Sequence, residues 1–148
     1  MALMASISNC VVGTPFQKSS KLSDYKIKED TVVVVALTEV ETKGSISDLW
    51  TFWKRVSSVR ESIESNPGYL GGSIRRQLFG SKAWTMTVWK DEESIDNFVY
   101  AKEHERAMKE GGPAVKRGRF YRIQKQWKEV PIPWEVAEEL VHEEGRME

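Results

Sequence analysis

Residues 82–108, KAWTMTVWKDEESIDNFVYAKEHERAM, decide the fold because their hydrophobic period changes partway along. From Trp84 to Trp89 the residues alternate with period two, and their aromatic and β-branched side chains suit a strand that is covered on both faces. After this strand the period becomes helical, and Asp91 is a candidate N-cap followed by acidic residues. The apolar stripe of the predicted helix consists of Ile95, Phe98 and Val99.

This helix does not continue in one phase. At about 100° per residue, Ile95 and Val99 lie close together, whereas His104 falls roughly on the opposite side. His104, Ala107 and Met108 are nevertheless spaced i, i+3, i+4, as a second inward stripe would be. We therefore predict a bend or break near residues 101–103 that turns His104 toward the core.

The segment 87–108 resembles the antibiotic biosynthesis monooxygenase (ABM) superfamily. The similarity lies in a strand ending in Thr-x-Trp, a short acidic helix start, an apolar pair, a break and then His-x-x-Ala. This resemblance implies a dimeric α+β barrel. The superfamily contains enzymes of several chemistries, haem-degrading monooxygenases among them, and members without an established activity, so the fold does not decide the activity.

The remaining chain adds elements in the order β-α-β-β-α-β. Three further strands are predicted at 31–40, 69–79 and 120–127. A helix from Ser45 or Ser47 to about Ser65 separates the first two, and Gly71-Gly72 predicts a bulge or a close approach of another group. The order predicts a ferredoxin-like α+β fold, an antiparallel four-stranded sheet with two helices on one face. The other face would be bare and apolar, so a symmetric partner should cover it, as the resemblance also implies.

Three segments are predicted: an N-terminal arm at 1–28, the ferredoxin-like domain at 29–130 and a helical extension at 131–148 that includes an amphipathic helix over 134–144. The first 23 residues contain no Asp or Glu and five Ser, but no Arg. We interpret them as an arm, with a targeting segment as the alternative. The expected location is the cytoplasm, or an organelle in that alternative. No apolar run of about 18 residues indicates a membrane span.

Charge is unevenly distributed although the formal net charge is zero. Residues 102–128 hold nine Lys or Arg against three Glu, whereas 129–148 hold seven Glu against one Arg. The acidic helix therefore either lies against the basic last strand or both faces are solvated. The basic-aromatic run KRGRFYRI at 116–123 is on the last predicted strand, whereas RNA-recognition modules carry such a signature on the third. Nucleic acid is thus not the expected partner.

The chemistry-bearing residues are few. The single Cys10 cannot form an internal disulfide or a cysteine-rich metal site, and we expect no metal and no tightly bound cofactor. Of the two histidines, His142 lies among glutamates in the last helix, and His104 is the one core group that titrates near neutral pH unperturbed. His104 is either a general base or a histidine hydrogen-bonded at a helix end.

Cofactor-free oxygenases of the resembled superfamily convert the substrate to a carbanion or phenolate that reacts with O₂, which requires a base, an apolar pocket and a donor to the oxyanion. His104 is the candidate base, and Arg75 or Tyr100 the candidate donor. Strand alternation places Arg75 opposite Leu70 and Ile74, so only one of these sets can face the helices. The candidate pocket walls are Trp53, Trp84, Phe98 and Met108.

The haem-degrading relatives provide an alternative function. Alignment from Thr87 places Phe98 where they have a distorting tryptophan and Met108 where they have the axial histidine. Their first-strand asparagine has no counterpart within 32–40, so haem degradation is not expected. The favoured function is a cofactor-independent monooxygenase, or a related cyclase or isomerase, that acts on a hydrophobic, aromatic or polyketide-like small molecule. A non-catalytic dimer that binds a ligand or partner is the other alternative.

Overall fold

Four long antiparallel strands form the centre of the protein, for which a computed structural model describes residues 10–147. These are β3 (Val32–Thr42), β4 (Tyr69–Gln77), β5 (Lys82–Trp89) and β6 (Val115–Gln126), in the spatial order β4-β5-β3-β6. Three short strands extend the edges: β1 (Val11–Gly13) and β2 (Gln17–Lys18) pair with β4, and β7 (Arg146–Met147) pairs with β6. The predicted ferredoxin-like α+β order is confirmed, and the sheet is open.

Three helices cover one face of this sheet. They are α1 (Ile46–Ile63), α2 (Glu92–Val99) and α3 (Lys102–Gly111). A capping box between Ser45 and Asp48 starts α1 and satisfies two of its free backbone donors. Buried Trp89 from β5 and Ile95 from α2 form the core on this side, together with Val34 and Ala36 of β3.

The predicted break between the two short helices is confirmed. Asp91 caps α2 by accepting a hydrogen bond from the Ser94 backbone at 2.8 Å, and α2 ends at Val99. Tyr100 and Ala101 separate the two helices, and Ala101 has the extended angles φ −67° and ψ 144°, so the chain leaves the helical path before α3 begins. The break changes the direction of the chain, so that His104 contacts Phe98 of α2. Met108, the last residue of the predicted second stripe, is 50% exposed, so that stripe is only partly inward.

The second face of the sheet is not bare, which corrects the expectation that only a partner could cover it. The last helix, α4 (Trp134–Glu144), packs its buried Ala137 and Val141 on this face, and Ile132 of the connecting segment is buried with them. The other end of the chain contributes as well, through Phe16, Leu22, Tyr25 and Ile27 of the N-terminal arm. A single chain thus buries both faces. The sequence did not reveal this because it does not show where terminal segments dock.

The predicted irregularity in β4 is present and has a consequence for side-chain directions. The register with β5 shifts between Tyr69 and Gly71, as in a β-bulge. A Cβ on Gly71 would lie 2.7 Å from the Gln17 carbonyl oxygen, so the predicted close approach of another group to this strand is also present. Because the shift breaks the alternation, Leu70 and Arg75 lie on the same face, under α4. The predicted opposition of these two residues is wrong.

The acidic last helix does lie over the sheet, although the contacts are more specific than a charge match. It packs against β3 and β6. Glu138 of α4 pairs with Arg75 of β4 at 3.3 Å, and Arg119 of β6 donates to the backbone carbonyl of His142 at 2.7 Å. Within residues 10–147 no helix is both long and apolar enough to cross a membrane. The predicted arm begins outside the described residues, which start at Cys10.

Candidate functional site

The imidazole of His104 is held in one tautomer by the helix break. Its Nδ1 lies 3.1 Å from the backbone carbonyl oxygen of Val99, the last residue of α2. A carbonyl oxygen only accepts, so Nδ1 carries the hydrogen and Nε2 carries the lone pair in the neutral ring. The break that turned His104 inward therefore also leaves its Nε2 as a proton acceptor, with no hydrogen-bond partner among residues 10–147.

Aromatic rings extend from this histidine in a continuous row. The His104 and Phe98 ring centroids are 4.8 Å apart, Phe98 and Trp89 are 5.0 Å apart, and Trp89 and Tyr69 are 5.3 Å apart. Burial among these rings lowers the pKa of His104 below its usual 6.5, partly opposed by the hydrogen bond to Val99. The ring is thus neutral at pH 7, which is the form that a general base requires.

Burial changes one further group in this row. The pKa of the Tyr69 hydroxyl is raised to about 12 because burial disfavours the phenolate, and the Glu64 carboxylate adds to the effect. Tyr69 is therefore a neutral phenol at all physiological pH values. His104 is the one member of the row that can accept a proton near neutrality.

An open cleft of about 420 Å³ lies between α1 and α3. The space directly beside His104 is much smaller, about 10 Å³, which is room for roughly one water molecule. The two spaces share the lining residues Val59, Ser62 and Glu103. His104 therefore lines a small space next to the cleft, and the two spaces are separated by side chains of α1 and of the start of α3.

Charged side chains join the two helices that line the cleft. Glu110 of α3 pairs with Arg55 of α1 and, at 2.8 Å, with Arg106 of its own helix. The Nε of Arg55 is buried and lacks a hydrogen-bond partner among the described residues. Arg55 and Arg106 both line the cleft, together with Glu61 and Glu103 of opposite charge. The cleft lining is polar and charge-balanced, whereas the small space beside His104 includes the ring of Phe98.

The predicted site residues are only partly brought together. Phe98 and His104 are in direct contact. Tyr100 is 80% exposed and Met108 50% exposed, so neither closes a pocket at His104. Trp53 lies in α1 with the guanidinium of Arg76 5.2 Å from its ring centroid, and it lines neither of the two spaces described above.

Two other predicted residues, Arg75 and Trp84, lie on the opposite face of the sheet. Arg75 faces Glu138 and Trp134 of α4, and Trp84 donates from its indole Nε1 to Glu39 at 3.0 Å. Neither can assist His104, since the sheet lies between them. Sequence alternation could not assign these faces, because the bulge in β4 shifts the phase and the cover by α4 is a long-range contact.

One residue at the site was missed. Asn66 lines the small space beside His104 and donates from its amide to the backbone carbonyls of Ser62 and Ile63, which end α1. In the sequence it is simply the Asn of the Asn-Pro-Gly turn that stops the helix. No periodic pattern marks such a residue, so only the packing of α1 against α2 reveals it.

The described residues offer no metal site and do not fit a haem. Residues 10–147 contain no group of three or more His, Cys, Asp or Glu side chains placed to hold a metal ion. Met108, at the position of the axial ligand in haem-degrading relatives, is half exposed on α3.

Comparison with solved structures gives consistent similarity to monooxygenase folds. A candidate monooxygenase from Fusobacterium nucleatum superposes with a TM-score of 0.60 at 15% identity, over 78% of this chain and 49% of its own. A candidate monooxygenase from Lactobacillus acidophilus gives 0.54 at 19% identity, over 69% of this chain and 50% of its own. A candidate antibiotic biosynthesis monooxygenase from Caulobacter crescentus gives a TM-score of 0.53 at 10% identity, over 66% of this chain and 92% of its own.

The chain has the ABM fold. The fold predicted from residues 87–108 is thereby confirmed. At these identities the similarity shows the fold alone. This chain spans only about half the length of the Fusobacterium nucleatum and Lactobacillus acidophilus proteins. No protein-family model and no curated protein matches the sequence. Within the ABM fold, α4 and the N-terminal arm are the segments of this chain that cover the second sheet face.

Proposed function

We propose that this ABM-fold protein is an enzyme that acts on a hydrophobic, aromatic or polyketide-like small molecule, with His104 as the general base. The observation that carries the proposal is the fixed tautomer of a half-buried, neutral imidazole in a small space beside a cleft. The substrate occupies the cleft between α1 and α3 and places its acidic C–H or O–H against Nε2. No metal and no tightly bound cofactor takes part.

The proposed reaction begins with proton transfer to Nε2 of His104. In a monooxygenase, the resulting carbanion or phenolate is oxidised by O₂, so that a CH₂ group becomes C=O and the second oxygen atom leaves as water. In a related cyclase or isomerase, the same carbanion attacks within the substrate or is protonated at another carbon. Oxygenation, cyclisation and isomerisation all need the same base, and a positioned base typically contributes about 10²- to 10⁴-fold in rate.

A substrate can reach His104 only if the residues that line both the cleft and the small space move. Because the inner space holds roughly one water, Val59 and Ser62 of α1 have to shift relative to α3. Arg55 and Arg106, which pair with Glu110, line the cleft but not the small space beside His104, so these ion pairs can persist during such a shift. The proposal therefore includes an opening of the α1–α3 contact on binding.

The experiment is oxygen uptake with a panel of phenols and enolisable aromatic ketones, measured for the wild type and for His104→Gln. His142→Gln is the matched control, since it replaces the other histidine of the chain, on the opposite sheet face. We expect uptake with a subset of the panel, loss of most of it in His104→Gln and retention in His142→Gln. Equal uptake by His104→Gln and the wild type would overturn the base assignment.

The small space beside His104 favours a second function, a non-catalytic ABM-fold protein that binds a ligand or partner. Saturable binding of a panel compound without oxygen uptake or product formation would support that alternative. The resemblance also supports a homodimer in either case. Because α4 and the arm cover the sheet face, such a dimer has to displace them or use another surface. A cytoplasmic location is part of the same proposal.

A further inference from the structure

The start of α1 and the tip of the β4–β5 hairpin expose large apolar side chains to water. Ile46 is 88% exposed, Trp50 and Phe79 are each 75% exposed, and Leu78 beside Phe79 is 46% exposed. Ile46 and Trp50 are spaced i, i+4 and therefore lie on one face of α1. Single exposed apolar residues are common, whereas a group of them on neighbouring elements indicates an interaction surface.

Direct contacts place the two segments at the same end of the sheet. The carbonyl oxygen of Ser81, in the hairpin, accepts from the backbone and from the hydroxyl of Thr42 at 2.8 and 3.0 Å, and Thr42 ends β3 just before α1. Trp53, one turn after Trp50, has the guanidinium of Arg76 5.2 Å from its ring centroid, and Arg76 is three residues before Phe79. The exposed apolar side chains therefore stand on adjoining elements.

The start of β6 joins this end of the molecule and adds positive charge to it. The backbone of Lys43 donates to the Ala114 carbonyl at 2.8 Å, and the ammonium of Lys116 donates to Glu41 at 3.1 Å. We define the hairpin end as residues 41–50, 76–83 and 112–118. These segments contain five cations, Lys43, Arg76, Lys82, Lys116 and Arg117, against two acids, Glu41 and Asp48.

Both acids of the hairpin end are engaged within the chain. Asp48 accepts from the backbone and the hydroxyl of Ser45 in the capping box, at 3.2 and 2.9 Å. The pKa of the Glu41 carboxyl is lowered, first by its hydrogen bond from Lys116, and the nearby charges of Arg117 and Lys82 act in the same direction. Although the formal net charge of the chain is zero, this end thus carries a local excess of positive charge beside its exposed aromatic rings.

We propose that the hairpin end is a docking surface for an anionic lipid membrane. Ile46, Trp50 and Phe79 enter the headgroup region, where aromatic and aliphatic side chains are favourable, and the cations contact the acidic headgroups. These three side chains line neither of the two spaces described above, and they stand on a helix start and a hairpin tip. A peptide is usually held in a groove or along a sheet edge, whereas protruding side chains of this kind fit a soft, flat surface.

The test is sedimentation of the full chain with vesicles of phosphatidylcholine alone and with vesicles that also contain about 30% phosphatidylserine. We expect binding to the anionic vesicles that is about tenfold tighter than binding to the neutral ones and that weakens in about 0.5 M salt. Trp50→Ser and Phe79→Ser should each weaken binding about tenfold, because each removes an apolar side chain that the membrane buries. Tyr100→Ser is the matched control, since Tyr100 is an 80% exposed aromatic residue outside the hairpin end, and it should bind like the wild type.

A second measurement on the wild type does not depend on any variant folding. Anionic vesicles should shift its tryptophan emission to shorter wavelength, and unchanged emission would overturn the proposal. So would an absence of binding, equal binding to neutral and anionic vesicles, or equal binding by Trp50→Ser, Phe79→Ser and the wild type. A wild-type dimer that becomes a monomer in Trp50→Ser, as measured by light scattering, would assign the hairpin end to a second copy of the chain and would also overturn the proposal.

Discussion

The rings of Phe98 and His104 are in contact, with centroids 4.8 Å apart, although a helix break separates them along the chain. Phe98 is in the last turn of α2, and His104 is in the first turn of α3. A continuous helix would place them on different sides, so the contact depends on the extended backbone at Ala101. The same break supplies the Val99 carbonyl that fixes the imidazole tautomer.

The first prediction concerns the pH dependence of stability. Burial lowers the pKa of His104 in the folded protein, so the unfolded chain binds this proton more readily. The stabilising contribution is thus present above about pH 6.5, the unfolded value, and is lost as the pH falls toward the folded pKa. Urea unfolding at pH 7.5 and 5.5 measures this effect. Between these pH values the free energy of unfolding should fall less in His104→Gln than in the wild type. A loss of the same size in both would show that His104 does not titrate in this way.

The second prediction concerns Gly68, which has φ +83° in the turn before β4. A Cβ at this position would overlap the Ser94 hydroxyl at the start of α2, and a positive φ is itself strained for other residues. Gly68→Ala should therefore lower the free energy of unfolding by about 1–3 kcal/mol. Gly112→Ala is the control, since a Cβ there meets nothing within 4 Å. Equal stability of the two variants in urea unfolding would contradict the clash.

The third prediction concerns Glu138. Burial raises the pKa of its carboxyl, and Arg75 only partly opposes the effect. Its Oε1 is buried without a hydrogen bond among the described residues, although Arg75 is 3.3 Å away. A raised folded pKa favours the fold at low pH, and this contribution is lost as the pH rises through that pKa.

Glu138→Gln should therefore leave the melting temperature unchanged or raise it at pH 7, because a neutral amide removes the cost of burying a poorly compensated charge. The difference in melting temperature between Glu138→Gln and the wild type should be smaller at pH 4. Glu139→Gln, an exposed position on the same helix, is the control. A clear drop in melting temperature at pH 7 for Glu138→Gln alone would show that the Arg75 pair is net stabilising.

The fourth prediction concerns haem. Because Met108 stands where haem-degrading relatives have their axial histidine, added haemin should give no saturable Soret shift. The measurement is an absorbance titration against haemin in buffer. A tight one-to-one complex would reverse this interpretation and make haem the ligand to pursue.

The fifth prediction is a homodimer, which the resemblance to dimeric ABM proteins implies. Light scattering at micromolar concentration should give twice the 17.0 kDa of one chain. Because α4 already covers the sheet face, a monomer would not expose that face to water. A stable monomer at this concentration would refute the predicted dimer.

The sequence by itself determined the element order, the break after α2, the bulge in β4 and the inward turn of His104. Each of these follows from local period, capping residues or glycine, which act over a few residues. Only the tertiary structure decided that Arg75 and Trp84 lie under α4, that Asn66 lines the histidine site, and that Glu39, Arg119 and His142 meet. These contacts join residues far apart in the chain, such as Glu39 and His142, and they depend on where the terminal segments dock and on a one-residue register shift.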